Sequence, residues 1–556
     1  MNRSSWRVSL LSLIFLAFGV LLTGRLFFLQ ALNHGYYLAL SKGQQGESVI
    51  ARGARGNIFL QDKEGNFIAL ATDSKASFAF LSPPEVQDKE HVAQVLSEIL
   101  KLKKENILLK AQKQNSLYEV LKKSLSQKEE QGMKDAKLPG VYVGKEIVRL
   151  YPQNEFASHV SGFVNQEGQG QYGIEEYYNT ELAGSTGVHA LGTNPATYLR
   201  SLFQTNVKDG SDVILTLDFN IQSLAESLLN NAAENLGIEE GTIIVMDPRS
   251  GKILALANTP GFNPNEYASQ GNLFLFQNPA VQKIFEPGSV FKPVTMAAAL
   301  QEKKVTPETT YEDKGILRIG GYSIYNYDTR VWGKKTMREV LEFSINTGAV
   351  FAKEQLGDDT FLEYVEKFGI LEPTGIDLPG EAYSQNRELR QGREINLATA
   401  AFGQGVEMTQ LQLLRAYSAF ANRGKMAEPF LVKERLKEQR QVLSPETATT
   451  ITSMLVSVVG EGYSKKARIP GYYIAGKTGT AQISWSALGI KKAGYSDKTV
   501  QSFMGYGPAF NPQFLILVKL QNPQTKTAEY SALPIFHDLA KYIIDYLAIP
   551  PDYEVE

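Results

Sequence analysis

The chain opens on an apolar run. Between Arg7 and Arg25 no charged residue interrupts the pattern, and apolar residues continue through Leu32. Such a run is about long enough to cross a bilayer once its flanking arginines reach the interface. Residues 8–32 are therefore expected to form a single transmembrane anchor. Arg3 and Arg7, in the leading segment 1–7, favour a cytoplasmic N-terminus with the bulk of the chain on the outer face of the cell membrane. A cleaved signal peptide is the alternative, although no A-x-A-like site follows the run. In both readings everything from about His34 onward is exported.

The pattern then changes twice. Residues 33–209 begin with short alternating runs punctuated by glycine, GESVIARGARGNIFLQDKEGNFIALATD, which predict strands with a hairpin turn at Asp62–Gly65. From Gln87 to about Asp135, Lys, Glu, Gln and Leu take over. Val92, Val95, Leu96, Ile99 and Leu100 recur there at helical spacing, so this charged insert, 87–135, is expected to form one or more exposed helices. LPGVYVGKEIVRLYP returns to strand. A second regime, 210–550, follows, with 551–556 as a tail. DVILTLDFNIQSLAESLLNNAAENLG reads as a strand, a helix cap at Asp218 and an amphipathic helix. GTIIVMDPRSGKILALA reads as a hairpin, and SFMGYG and FLILVKL as strands. PIFHDLAKYIIDYLA reads as a closing helix with Ile535, Leu539, Ile543 and Leu547 on one face. Strands near both ends with helices between them predict an α+β fold, helices around a mostly antiparallel sheet.

Composition narrows the chemistry. At 556 residues the chain exceeds one compact core, so two or more domains are expected. A net charge of −2 offers no basic footprint for nucleic acid. With no cysteine, disulfides, thiolate catalysis and cysteine-bound zinc are excluded. The five histidines, His34, His91, His159, His189 and His537, show no metal-ligand spacing.

One stretch, GYYIAGKTGTAQ (Gly471–Gln482), matches the phosphate-binding pattern G-x-x-x-x-G-K-[ST]. Its surroundings argue against a nucleotide. A P-loop is a glycine-rich turn that enters a helix, whereas Tyr472–Ala475 reads as strand and Gly479-Thr480-Ala481 opens no helix. Three other elements carry reactive side chains. In FEPGSVFKPVTMAAAL, Ser289 and Lys292 are three apart on an expected helix and share a face, and Pro293 confines them to its N-terminal end. A serine needs a base to become nucleophilic, a buried lysine can be that base, and helix-terminal N–H groups can hold an oxyanion. This is the only S-x-x-K in the chain. In EFSINTGAVFAKEQLG, Ser344 and Asn346 offer a proton relay and an amide. A second S-x-N, Ser384 to Asn386, lies in a polar loop without an apolar frame, so Ser344 is preferred. Third, Lys477, Thr478, Gly479 and Thr480 on a strand make a ledge for a carboxylate, with Gly479 leaving room for a ligand backbone.

In this order, S-x-x-K, S-x-N and K-T-G are the motif set of penicillin-binding proteins and class A β-lactamases. With RGARGNIF, HVSGFVNQEGQGQYGIEEYYNTELAGSTG and FGQGVEMTQLQLLRAYSAFANRG, the chain resembles a class B penicillin-binding protein, a peptidoglycan D,D-transpeptidase, over nearly its whole length. The resemblance implies an N-terminal anchor, a β-rich pedestal of the dimerisation-domain type and a penicillin-binding, serine β-lactamase-like transpeptidase domain. It implies Ser289 as nucleophile, Lys292 as base, Ser344 and Asn346 in relay and positioning, and Lys477, Thr478 and Thr480 on the terminal carboxylate. The N–H groups of Ser289 and Thr480 would form the oxyanion hole. It implies stem peptides on nascent glycan strands as substrate, β-lactams as inhibitors, a SEDS-family glycosyltransferase and a division or elongation complex as partners, and no metal or cofactor. YPQNEFASHVSGFVN leans towards the division branch. A β-lactamase or D,D-carboxypeptidase and a non-catalytic β-lactam sensor or divisome scaffold are the alternatives.

Overall fold

The computed structural model describes residues 13, 15–23, 48–114, 116, 118–190, 207–433, 439–492 and 494–555. Most of the anchor expected at 8–32 lies outside them; Leu13 and residues 15–23 are helical. Among the described residues no helix is long and apolar enough to cross a membrane. The chain divides into two compact units, Met1–Arg55 with Ala183–Gly210, and Gly56–Leu182 with Ser211–Glu556.

In the smaller unit β1 (Ser48–Arg52) pairs antiparallel with a strand at Thr186–Ala190. The larger unit begins with a hairpin. Asp62 accepts from the backbone and side chain of Asn66 at 2.8 Å each, which turns β2 (Ile58–Gln61) into β3 (Phe67–Leu81). The 87–135 insert holds three helices, α1 (Lys89–Leu100), α2 (Lys104–Ala111) and α3 (Gln127–Ala136), and a strand, β4 (Glu119–Lys122), that pattern reading missed. These elements are not merely solvated. Val92, Leu96, Leu100, Ile107 and Met133 close a small core with Ala79 and Leu81 of β3. β5 (Val141–Leu150) runs antiparallel along β3. The strand at Val213–Asp218, β6, begins the second regime in sequence, yet it pairs parallel with β2 and so belongs to the pedestal sheet.

Asp218 caps α4 (Phe219–Leu236) by accepting from Asn220 N and Ile221 N at 2.9 and 3.0 Å, as the sequence predicts. A five-stranded antiparallel sheet follows, made from β7 (Glu240–Met246), β8 (Ile253–Thr259), β9 (Ala475–Ser484), β10 (Tyr495–Gly507) and β11 (Phe514–Gln521), in the order β8-β7-β11-β10-β9. Alternation along its strands divides two cores. Ile243, Val245, Phe503, Ile516 and Val518 face α4 and α10 (Ala532–Tyr546). Ile244, Met246, Met504, Leu515 and Leu517 face a helical layer that includes α5 (Lys292–Gln301), α8 (Gln410–Ala421) and α9 (Pro445–Gly460). Because both faces are covered, β11 reads FLILVKL without polar alternation. Ile535, Leu539 and Ile543 of α10 are buried as expected, but Leu547 follows the helix and is 37% exposed. Its side chain is past the last turn and cannot continue the stripe. Tyr472–Ile474, expected as strand, precede β9, which starts at Ala475.

The pedestal segment Tyr151–Phe163 lies directly on this domain. Asn265 receives Tyr151 N at 3.0 Å and returns a bond to Tyr151 O at 2.9 Å. Ala157 N donates to Glu226 at 2.7 Å, and Phe163 stacks on Tyr267 at 4.4 Å.

Candidate active site

Ser289 occupies a 3₁₀ turn, Gly288–Phe291, that runs straight into α5. The sequence expectation of a helix N-terminus is thus met one turn early, with Pro293 in the first turn of α5, where a missing N–H costs nothing. The turn is wedged. Gly288 has φ +61°, and a Cβ there would lie 2.9 Å from the Ala481 Cβ of β9. Gly288 N donates to Gly403 O at 2.9 Å, and a Cβ on Gly403 would lie 2.0 Å from Gly288 O. Behind the turn, a Cβ on Gly479 would meet Ser502 Oγ at 2.6 Å, Val290 Cγ1 at 3.0 Å and Pro287 O at 3.2 Å. Gly479 is therefore small because the serine turn rests on it. The space that the sequence pattern assigns to a ligand backbone is taken by that turn.

Lys292 is 1% exposed and points into the gap before α7 (Asn346–Leu356). Its Nζ donates to Ser344 O at 2.5 Å, Asn346 Oδ1 at 2.8 Å and Ser344 Oγ at 3.2 Å. Lys477, also 1% exposed, reaches Ser344 Oγ at 3.0 Å and Thr478 O at 3.1 Å. One hydroxyl thus touches the Nζ atoms of both lysines. Ser344 meets them because it sits between α6 (Met337–Glu342) and α7 with φ +54°, a left-handed conformation costly for a non-glycine residue. The capping box of Thr336 and Glu339 anchors α6 before that turn.

These partners of the lysines are carbonyl, hydroxyl and amide oxygens. Burial without a carboxylate disfavours the charged form, so the Lys292 amine is pushed well below its usual value, and Lys477 pushes it further. Burial takes Lys477 down to about 7. An unfolded lysine titrates near ~10.4. Between about 7 and that value the unfolded chain binds more protons than the folded one, so stability rises with pH in that window. Melting curves of the parent and Lys477→Met should therefore diverge between pH 7 and 9, with the parent gaining up to about 1.4 kcal/mol per pH unit over the variant. Parallel curves contradict a neutral buried Lys477.

Lys292, Ser344, Asn346 and Lys477 are joined by hydrogen bonds, and Ser289 lies one turn from Lys292. Thr478 and Thr480 stand apart. Strand alternation puts their side chains on the opposite face of β9 from Lys477 and Gly479, and Thr480 Oγ1 accepts from Ala528 N at 3.2 Å. The other S-x-N is elsewhere: Ser384 donates to Glu407 at 2.8 Å and Asn386 Nδ2 to Glu407 O at 2.8 Å. Sequence reasoning missed Gly403 and Ser502 in the wedge, because neither carries a spacing signal towards Ser289.

The model of the penicillin-binding protein transpeptidase domain matches residues 241–541, and that of the penicillin-binding protein dimerisation domain matches 50–215. The chain belongs to the class B penicillin-binding proteins. As a member of that family it is a peptidoglycan D,D-transpeptidase, a serine enzyme with a dimerisation domain ahead of the catalytic one. It is 31% identical to stage V sporulation protein D of Bacillus subtilis over 97% of this chain and 86% of that one. It is 28% identical to the peptidoglycan D,D-transpeptidase FtsI of Buchnera aphidicola over 99% and 96%. Among solved structures, penicillin-binding protein 3 of Mycobacterium tuberculosis, complexed with aztreonam, aligns with TM-score 0.70 and 26% identity, covering 91% of this chain and 98% of that one.

Proposed function

We propose that Ser289 is the acylated nucleophile and that the two lysines joined through Ser344 move its proton. Lys292, neutral by burial, takes the proton from Ser289 Oγ as that oxygen bonds to the penultimate D-alanine carbonyl of a stem peptide. The N–H groups of Ser289 and Thr480 hold the oxyanion. The C–N bond to the last D-alanine breaks, and the leaving amine receives a proton through Ser344. Asn346 keeps Lys292 in place, while Thr478 and Thr480 hold the terminal carboxylate from one face of β9, with Lys477 behind them on the other. An amine from a neighbouring stem then attacks the ester, returns its proton along the same path and frees Ser289. The observation that carries this reading is the single Ser344 hydroxyl within 3.0 Å of Lys477 and 3.2 Å of Lys292.

β-Lactams acylate Ser289 in the same way and form a lasting ester. The chain is held in the cell membrane by residues 8–32, carries a pedestal whose sheet is completed by β6 and works on the outer face in division, with the anchor and pedestal meeting a SEDS-family glycosyltransferase. The division reading is supported by the pedestal motif and by the likeness to FtsI. The test is intact-mass spectrometry of the full chain after exposure to benzylpenicillin, with peptide mapping. A persistent adduct of one penicillin on Ser289 is expected. Destruction of the antibiotic without a persistent adduct points to a hydrolase, and an untouched antibiotic points to a sensor or scaffold.

A further inference from the structure

We propose that Asp313 is a positioning residue for Lys292, acting through Asn326 and the first turn of α7. This rests on the reading of Lys292 as the base for Ser289. Asp313 is 2% exposed, and its carboxylate accepts four bonds from neutral donors. Oδ1 takes Thr347 Oγ1 at 2.7 Å and Gly315 N at 2.9 Å. Oδ2 takes Trp332 N at 2.8 Å and Asn326 Nδ2 at 2.9 Å. A carboxylate has only acceptors, so it dictates which end of the Asn326 amide faces it. The Asn326 amide oxygen is thereby turned to the start of α7, where it accepts Asn346 N at 3.0 Å and Thr347 N at 3.1 Å. It does the work of a helix cap, since Ile345 at the cap position has no side chain able to accept.

The same logic then repeats one step closer to the reaction. Asn346 Nδ2 donates to Tyr325 O at 2.9 Å, so its other end, Oδ1, is the one that meets Lys292 Nζ at 2.8 Å. Tyr325 and Asn326 are consecutive, so one short segment orients both the backbone and the side chain of Asn346. Asp313 clamps that segment from beneath and also clamps Trp332 N on its far side. Asn346 is thus oriented at second hand by a carboxylate that touches neither lysine. None of these partners could be read from spacing: Asp313, Asn326 and Asn346 come from three separate segments.

The test is stopped-flow acylation of the full chain by a fluorescent penicillin, resolving non-covalent binding (K) from the acylation step (k2), with melting temperature measured alongside. A base held out of place slows k2 and leaves K alone. Asp313→Ala is expected to lower k2 at least tenfold with K within about threefold of the parent. Asn326→Ala removes the middle link and is expected to do the same; it decides the matter if Asp313→Ala does not fold. Thr347→Val removes a hydroxyl that reaches Asp313 Oδ1 at 2.7 Å and Asn326 Oδ1 at 3.2 Å but leaves Asn346 N on Asn326, and is expected to lower the melting temperature with k2 within about threefold. Folded Asp313→Ala or Asn326→Ala with parental k2 overturns the proposal. So does a fall in k2 that tracks melting temperature equally in all three variants. A parent that is not acylated at all refutes the reading of Ser289 instead.

Discussion

Lys292→Met should lower the rate of Ser289 acylation by about 10²- to 10⁴-fold while the protein stays folded. Methionine is close to lysine in length and suits a site that is 1% exposed. The substitution removes a buried amine without leaving a buried carboxylate unpaired, because the lysine's partners are the oxygens of Ser344 and Asn346. Melting temperature should therefore hold or rise, and the loss should be in chemistry alone. Rapid-mixing kinetics with a fluorescent penicillin, read beside a melting curve, separate the two. A loss smaller than tenfold means that Lys477, working through Ser344, is the base that deprotonates the serine.

Gly403→Ala is the second large effect, and it acts at a distance from any reactive group. Its Cβ would stand 2.0 Å from Gly288 O, 2.6 Å from Gly288 C and 2.7 Å from Gly288 N. All three are backbone atoms, so relief requires the whole Ser289 turn to move. The turn is backed by Ala481 and Gly479 of β9 and has nowhere to retreat. A displacement of about 1 Å costs roughly 100-fold in rate. Acylation should fall by at least that factor, and the strained φ of +84° should add about 1–3 kcal/mol of destabilisation. Gly405→Ala is the control. It shares the positive φ, +72°, but its Cβ would meet only Thr399 Oγ1, at 3.3 Å. It should lose stability and keep most of its acylation rate; equal losses in both variants refute the wedge.

How much of this was readable beforehand depends on range. The Asp62 turn, the Asp218 cap, the hairpin of β7 and β8 and the closing helix are local, and hydrophobic period with turn chemistry predicts them. β4 was missed because its partner lies some 40 residues earlier in β3 and four residues carry little pattern. The same holds at the site. Ser289 and Lys292 are one turn apart and could be paired by eye. The meeting of Lys292 with Ser344 spans 52 residues, and that of Ser344 with Lys477 spans 133; only the motif order of a known family pointed to it. Motif order says nothing about which face of a strand a side chain takes, and Thr478 and Thr480 face away from Lys477. It also hides the reason for a glycine: Gly479 and Gly403 are set by what lies behind them. The nucleotide-like GYYIAGKTG failed on context, since Lys477 sits mid-strand with its amine on Ser344.

The parallel pairing of β6 with β2 fixes an order of events during synthesis. Ile58 meets Val213, 155 residues later. At ~5–20 residues per second, β2 emerges about 10–30 s before its neighbour exists. Through that interval the strand keeps an open, partly apolar edge in an unfinished chain, the state in which edges pair wrongly. A shortened protein that starts at Gly210 inherits the converse fault, a β6 held by Leu431–Lys433 on one edge and open on the other. A version meant to fold alone should begin upstream of Ile58, and chaperone demand should peak before residue 213 has been made.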